Sequence, residues 1–130
     1  GQGLINILIR RAIKGEPVEI WGQGNVVRDY IYVKDVADAL LKTLDHNSEH
    51  RVFNIGSGHG RTILDVLESL ELVLKTPITR RFTPARTFDV PISVLDISLA
   101  AMHLKWHPHT DWLAAIENTC QWIRGDMPGT

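Results

Sequence analysis

Residues 22–38, GQGNVVRDYIYVKDVAD, constrain the fold more than any other stretch, because a glycine turn, a strand pattern and a helix start follow one another without a spacer. Gly22 and Gly24 permit the positive φ values of a tight bend. The run Tyr30, Ile31, Tyr32 and Val33 reads as a strand, with Arg28 and Asp29 as a charged pair at its entrance. A guanidinium held at the mouth of a rigid element suits an anion. Val36, Ala39, Leu40, Thr43 and Leu44 then recur at helical spacing, and Asp35 is placed to cap the first turn.

The same alternation of strand and helix extends in both directions. Leu4, Ile5, Leu8, Ile9, Ala12 and Ile13 predict a helix that ends near Lys14, with Gly15 and Pro17 as its stop. Val18 to Trp21 alternates like a strand, and Arg51 to Gly58 reads as a short apolar strand running into glycines. Thr62 and Asp65 form a capping signature for a helix that buries Ile63, Val66, Leu67, Leu70, Val73 and Leu74, before Pro77. Ile78 to Phe82 predicts another strand, residues 83–91 a proline-bounded surface loop, and Ile92 to Leu95 a last short strand. Asp96 or Ser98 is expected to cap a helix carrying Leu99, Met102 and His103 toward Trp106, broken by Pro108. Thr110 is expected to cap a final helix whose Leu113, Ile116, Cys120 and Ile123 face the core, with Gly125 as its stop.

A chain of 130 residues of this kind predicts a single α/β domain that buries about two-thirds of its unfolded surface. No run of about 18 apolar residues is present, and the first segment has its basic residues after its apolar ones, so no membrane span or signal peptide is read and a cytoplasmic location is expected. Fourteen basic residues against fifteen acidic ones leave a formal charge of -1, which gives no bulk attraction for nucleic acid or acidic membranes. Any anion site must be local.

Several chemistries fit poorly. The single cysteine, Cys120, has aliphatic neighbours at helical spacing and reads as a core residue. His107 and His109 flank a proline and have no nearby third ligand, so they read as solvated loop residues rather than a metal site. The run from Gly56 to Gly60 invites a dinucleotide reading, but Arg61 stands where the third glycine is needed, and a structural turn accounts for it better. No GxSxG elbow is present. What remains is a set of arginines at element ends, Arg28, Arg80, Arg81 and Arg86, each either a surface charge or a bidentate partner for phosphate. Trp21 can lie against a nucleobase or in the core.

Three stretches, GQGNVVRDYIYVKDVADAL, VFNIGSGHGRTILDVLE and RFTPARTFDVPISVLDISLA with LKWHPHTDWLAAIENTCQWI, resemble the carboxyl-terminal portion of the extended short-chain dehydrogenase/reductases of the nucleotide-sugar epimerase and dehydratase type. The RDYIYVxD element carries most of the resemblance, which is to the UDP-glucose 4-epimerase branch above all. It implies a small substrate-binding lobe, residues 1–130 as one piece of a longer enzyme, with the NAD-binding Rossmann lobe outside this chain. It also implies that Arg28 holds the diphosphate with Tyr30 beside it, that Arg86 and Asp89 close on phosphate and ribose, that Glu19 and Trp21 border the base, and that Leu4 lies near backbone approaching the diphosphate. Phe88 departs from the small residue common before that aspartate.

By the same resemblance NAD serves the full enzyme and is not bound by this chain, the ligand is a UDP-sugar or a dTDP-sugar, and no catalytic residue is carried here. Tyr30 and Lys34 match the family's Tyr-x-x-x-Lys by spacing, but along a strand and into a turn, where they need not share a face. The alternatives are a 4,6-dehydratase, a related decarboxylase or reductase, and a stand-alone binding module without catalysis.

Overall fold

The computed structural model describes residues 3–47, 49–85 and 89–126; the expected phosphate contact Arg86, with Thr87 and Phe88, lies outside the described residues. The chain forms two compact units, one from Gly1–Val26, Thr62–Asp89 and Asp111–Thr130, the other from Val27–Arg61 and Val90–Thr110.

The first unit holds helix α1 (Leu4–Ile13), strand β1 (Val18–Trp21), helix α3 (Ile63–Leu74), strand β4 (Arg80–Thr83) and helix α5 (Trp112–Asp126). In α1 the apolar stripe turns Leu8 and Ile9 inward, and Gly15 at φ 68° follows the last turn, as its spacing predicts. Strand β1 alternates Val18 and Ile20 inside with Glu19 and Trp21 outside, and pairs in parallel with β4 from Val18 opposite Arg80 to Trp21 opposite Thr83. The three helices pack on one another around Val66, Leu67, Leu70, Ile116, Cys120 and Ile123. The turn after β1 needs its glycine: Gly24 has φ 74°, and a Cβ there would stand 2.9 Å from the Ile20 methyl.

Thr62 and Asp65 form the predicted capping box on α3, with the Asp65 amide donating to Thr62 Oγ1 at 3.1 Å and the Thr62 amide to Asp65 Oδ2 at 2.7 Å. Two other expectations change. Asp111, not Thr110, caps α5, accepting from the Ala114 amide at 3.1 Å, and Leu113 at the start of that helix is exposed. Gly125 lies inside α5 instead of stopping it, since a glycine without a following left-handed turn does not end a helix. Cys120 is buried, and burial foremost pushes its thiol up to about 11, the nearby Arg124 opposing and Glu117 adding to the shift. Alkylation of Cys120 by iodoacetamide at pH 8 is therefore expected only after unfolding; modification of the native chain at the rate of a free thiol would refute the core assignment.

The second unit holds β2 (Val27–Asp29), α2 (Val33–Leu44), β3 (Gly60–Thr62), β5 (Ile92–Ser93) and α4 (Ser98–Leu104), with the sheet order β3-β2-β5. Strand β2 runs parallel to β5, Val27 opposite Ile92 and Arg28 opposite Ser93. The strand expected at Tyr30 to Val33 is displaced: Arg28 and Asp29 belong to the ladder, Tyr30 to Tyr32 follow it, and Val33 is already helical. Only residues facing a partner strand join a ladder, and β5 is two residues long. The segment Arg51 to Ile55 is not a strand either; the paired residues begin at Gly60.

The core of this unit is Ala39, Ala100, Leu104 and Trp106, with Ile31, Phe53 and Ile55 packed against it. Helix α4 therefore turns Ala100 and Leu104 inward and leaves Met102 exposed, one step from the expected face. Neither expected residue caps it from the N-cap position, which Ile97 occupies; Asp96 instead accepts from the Ser98 amide at 2.9 Å. Lys105, at φ 53°, ends the helix before Pro108 is reached. No helix among the described residues is long and apolar enough to cross a membrane.

Candidate anion site at the start of strand β2

Arg28 sits in the middle of β2, half-buried, and its Nη1 donates to the carbonyls of Val27 at 2.8 Å and Val90 at 2.7 Å. The second of these bridges to the residue before Pro91, whose own carbonyl accepts from the Val27 amide at 2.8 Å. One nitrogen of the fork is thus committed to backbone oxygens on two chain segments, which fixes the guanidinium plane without neutralising its charge. That is the rigid cation expected at this position. The expected pairing with Asp29 is corrected, because neighbouring strand residues point to opposite faces and the two side chains part.

Asp29 turns the other way, into the loop after Ile55. Its carboxylate accepts from the Ser57 amide at 2.7 Å, the Ser57 hydroxyl at 2.5 Å, the Gly58 amide at 3.0 Å and the Leu95 amide at 3.2 Å. Burial pushes the carboxyl up, and the hydrogen bonds from Ser57, Leu95 and Gly58 together outweigh it, leaving the pKa below the usual carboxylate value. A Cβ at Gly56 would lie 2.7 Å from Asp29 Oδ2, so the close approach of carboxylate to backbone requires glycine there. The glycine run that invites a phosphate thus cradles an anion supplied by the chain itself, in agreement with its reading as a structural turn. Sequence reasoning did not assign Asp29 to it; the signal was the anion-seeking character of the Gly-Ser-Gly amides.

Tyr30 is half-buried. Burial raises its phenol pKa and the positive charge of Arg28 opposes the rise without cancelling it. At neutral pH Tyr30 is a neutral hydroxyl suited to donating a hydrogen bond, and the wrong side of ordinary for a proton-abstracting base. Lys34 lies in the first turn of α2, a different element from Tyr30.

Asp35 is corrected from helix cap to interior anchor. It is 1% exposed, Tyr32 takes the N-cap position, and the Asp35 carboxylate accepts from Thr110 Oγ1 at 2.8 Å and the Thr110 amide at 3.3 Å. His109 Nδ1 stands 3.2 Å from Asp35 Oδ1, so this histidine leans on a buried carboxylate and is not simply a solvated loop residue. A polar depression of about 540 Å³ is lined by Asn47, Glu49, His50, Arg51 and His103, and holds none of the predicted site residues.

The remaining predicted residues belong to the first unit. Glu19 and Trp21 occupy the outer face of β1, Leu4 and Asp89 are exposed, and the Trp21 ring, at 43% exposure, is settled as a surface residue rather than a core one. Arg80 pairs with Glu71 at 2.7 Å, and Glu71 also accepts from the Ile78 amide at 2.8 Å, which gives this arginine a structural role.

Residues 1–56 match the NAD dependent epimerase/dehydratase family. The chain is 36% identical over 98 residues to UDP-glucose 4-epimerase of Corynebacterium glutamicum, covering 73% of this chain and 30% of that protein. It is 31% identical over 107 residues to dTDP-4-dehydro-6-deoxyglucose reductase of Escherichia coli, covering 82% of this chain and 34% of that protein. The crystal structure of Thermotoga maritima UDP-glucose 4-epimerase with UDP-glucose superposes with a TM-score of 0.85 at 33% identity, over 95% of this chain and 40% of that one. The chain thus spans about a third of the length of these curated relatives. The RDYIYVxD element that sets Arg28 in its strand falls within the matched residues, and the chain belongs to the NAD-dependent epimerase/dehydratase family, with the α/β fold of the carboxyl-terminal part of its epimerases.

Proposed function

We propose that this chain is the substrate-binding part of an NAD-dependent nucleotide-sugar epimerase of the UDP-glucose 4-epimerase type, and that it holds the nucleotide diphosphate while the chemistry takes place outside it. The observation that carries this reading is the fixed Arg28 guanidinium, anchored through Nη1 to the Val27 and Val90 carbonyls. Charge-assisted hydrogen bonds to phosphate contribute about 1.5–3 kcal/mol each, and a preset fork loses less entropy on binding than a mobile one. Tyr30, kept neutral, serves as a hydroxyl donor to the same anion. Glu19, Trp21, Leu4, Arg86 and Asp89 stand as separate proposals for nucleotide contacts, each open to its own substitution.

NAD supplies hydride acceptance and return at the sugar C4 in this reading. The residues of this chain do not fit its pyrophosphate, because the Ser57 and Gly58 amides that could cradle it already hold Asp29. The chain's own contribution is binding and orientation, which lower the barrier by fixing the substrate rather than by moving protons. The chain alone is inactive on this account. A second reading, a dTDP-sugar reductase or a related dehydratase or decarboxylase with the same lobe, is supported by the likeness to the Escherichia coli reductase.

Calorimetry separates these readings. UDP and UDP-glucose are expected to bind weakly, and Arg28→Ala to weaken that binding about 10- to 100-fold, the equivalent of one or two charge-assisted bonds. Stronger binding of dTDP-glucose than of UDP-glucose would favour the second reading. Affinity unchanged by Arg28→Ala, or no binding of any of the three ligands at millimolar concentration, would overturn the diphosphate role for this chain. Trp21→Ala and Asp89→Ala, measured the same way, test the first-unit proposals one at a time.

A further inference from the structure

Helix α2 is apolar on two opposite sides. Asp35 and Ala39 are buried on one, while Val33, Ala37, Leu40, Leu41 and Leu44 fall within an arc of about 100° on the other, at 3.6 residues per turn. That second face is open: Val33 is 70% exposed, Leu40 62%, Leu41 63% and Leu44 78%. The expected core stripe through Leu40 and Leu44 is therefore corrected, since these two leucines point away from the core they were assigned to. A helix that is apolar nearly all round is built to be covered on both sides.

The segment after α2 has a matching deficit. Arg51 to Ile55 reads as a strand, and its burial alternates, with Phe53 and Ile55 on the core and Val52 80% exposed. Yet among the described residues no backbone-to-backbone hydrogen bond reaches Val52, Phe53, Asn54 or Ile55. A strand entered from a helix that follows a strand suits a parallel sheet, where ladder partners lie to the side and helices cover the faces. We propose that residues 51–55 are an edge strand and the Val33–Leu44 face of α2 its covering layer, both docking onto a parallel α/β sheet presented by a partner lobe. This inference rests on the reading of the chain as one lobe of a nucleotide-sugar enzyme and names the surface by which it joins the other. The partner commits to that chemistry, a sheet edge flanked by apolar side chains, because this chain covers only 40% of the Thermotoga maritima structure whose fold it shares.

The test is hydrogen exchange without any nucleotide. The 130-residue chain is compared with a chimera in which it replaces the corresponding carboxyl-terminal part of the Thermotoga maritima epimerase. The amides of Val52 to Ile55 are expected to exchange at nearly the free rate in the chain alone and about 100-fold more slowly in the chimera. Leu40→Glu with Leu44→Glu should abolish that slowing. In the chain alone the same double substitution should leave Tm unchanged; a fall of more than about 5 °C would show the face packed within the chain and overturn the inference, whether or not the chimera folds. So would amides already slow in the isolated chain, equal exchange in the chimera, or slowing that grows with concentration of the chain alone, which would assign the edge to a second copy. Loss of UDP binding in Arg28→Ala leaves this readout untouched, so the two proposals fail separately.

Discussion

Asp29→Ala is expected to lower the stability of the unit that carries Arg28 by about 3 kcal/mol, and with it to release the end of strand β2. Four donors converge on this carboxylate, from Ser57 twice, Gly58 and Leu95. Hydrogen bonds to a charged group are worth about 1.5–3 kcal/mol each, and partial exposure with access of water to the freed amides brings the sum down to the figure given. Asp29→Asn should recover little, because its NH₂ would face amide donors. The pH dependence follows in sign. The folded-state pKa lies below the ordinary value of 3.8, so the native state holds its proton less tightly than the unfolded chain. The stabilisation is then full above the unfolded pKa and is lost as pH falls through the folded one. Urea titrations from pH 7 to pH 3 should show an acid loss of stability in the native chain that is smaller in Asp29→Ala. Equal acid slopes in the two proteins would show that the glycine loop is not held by this charge.

Trp106→Ala is expected to cost about 3–5 kcal/mol, the range for removing a large buried aromatic side chain. Trp106 is 1% exposed and the largest of the fully buried side chains, in a core that otherwise consists of Ala39, Ala100 and Leu104 with three partly buried neighbours. Two alanines cannot move in to fill the space. Its indole N–H also donates to the Asp35 carbonyl at 3.1 Å, tying the segment after α4 to the first turn of α2. Trp106→Phe should retain much of the packing and lose that bond, costing about 1–2 kcal/mol. Chemical denaturation followed by tryptophan fluorescence of the remaining indoles gives both values. A loss below 1 kcal/mol in Trp106→Ala would mean that the core of this unit lies elsewhere.

Local pattern carried most of the helices and the fold class. The register of α1, the capping box at Thr62 and Asp65, and the strand Val18–Trp21 appear where the spacing puts them, because each depends on residues within one turn or one strand length. The family resemblance held as well. Asp35 shows where local reading stops: it lies at the right place for a cap, but its partners are 74 and 75 residues away. Arg28 was legible as a fixed cation, whereas its anchor, the Val90 carbonyl 62 residues on, was not.

Residues 51–55 divide the two kinds of information most plainly. Their sequence alone determined a strand pattern, as that of residues 22–24 determined a glycine turn and that of residues 4–13 an amphipathic helix, since side-chain periodicity and φ freedom are properties of the chain itself. Tertiary structure decided which strand patterns became strands, which face of α2 met a core, and which anion filled the Gly56–Gly58 loop. A ladder needs a second backbone and a buried carboxylate needs donors, and for Asp29 these come from 28 to 66 residues away.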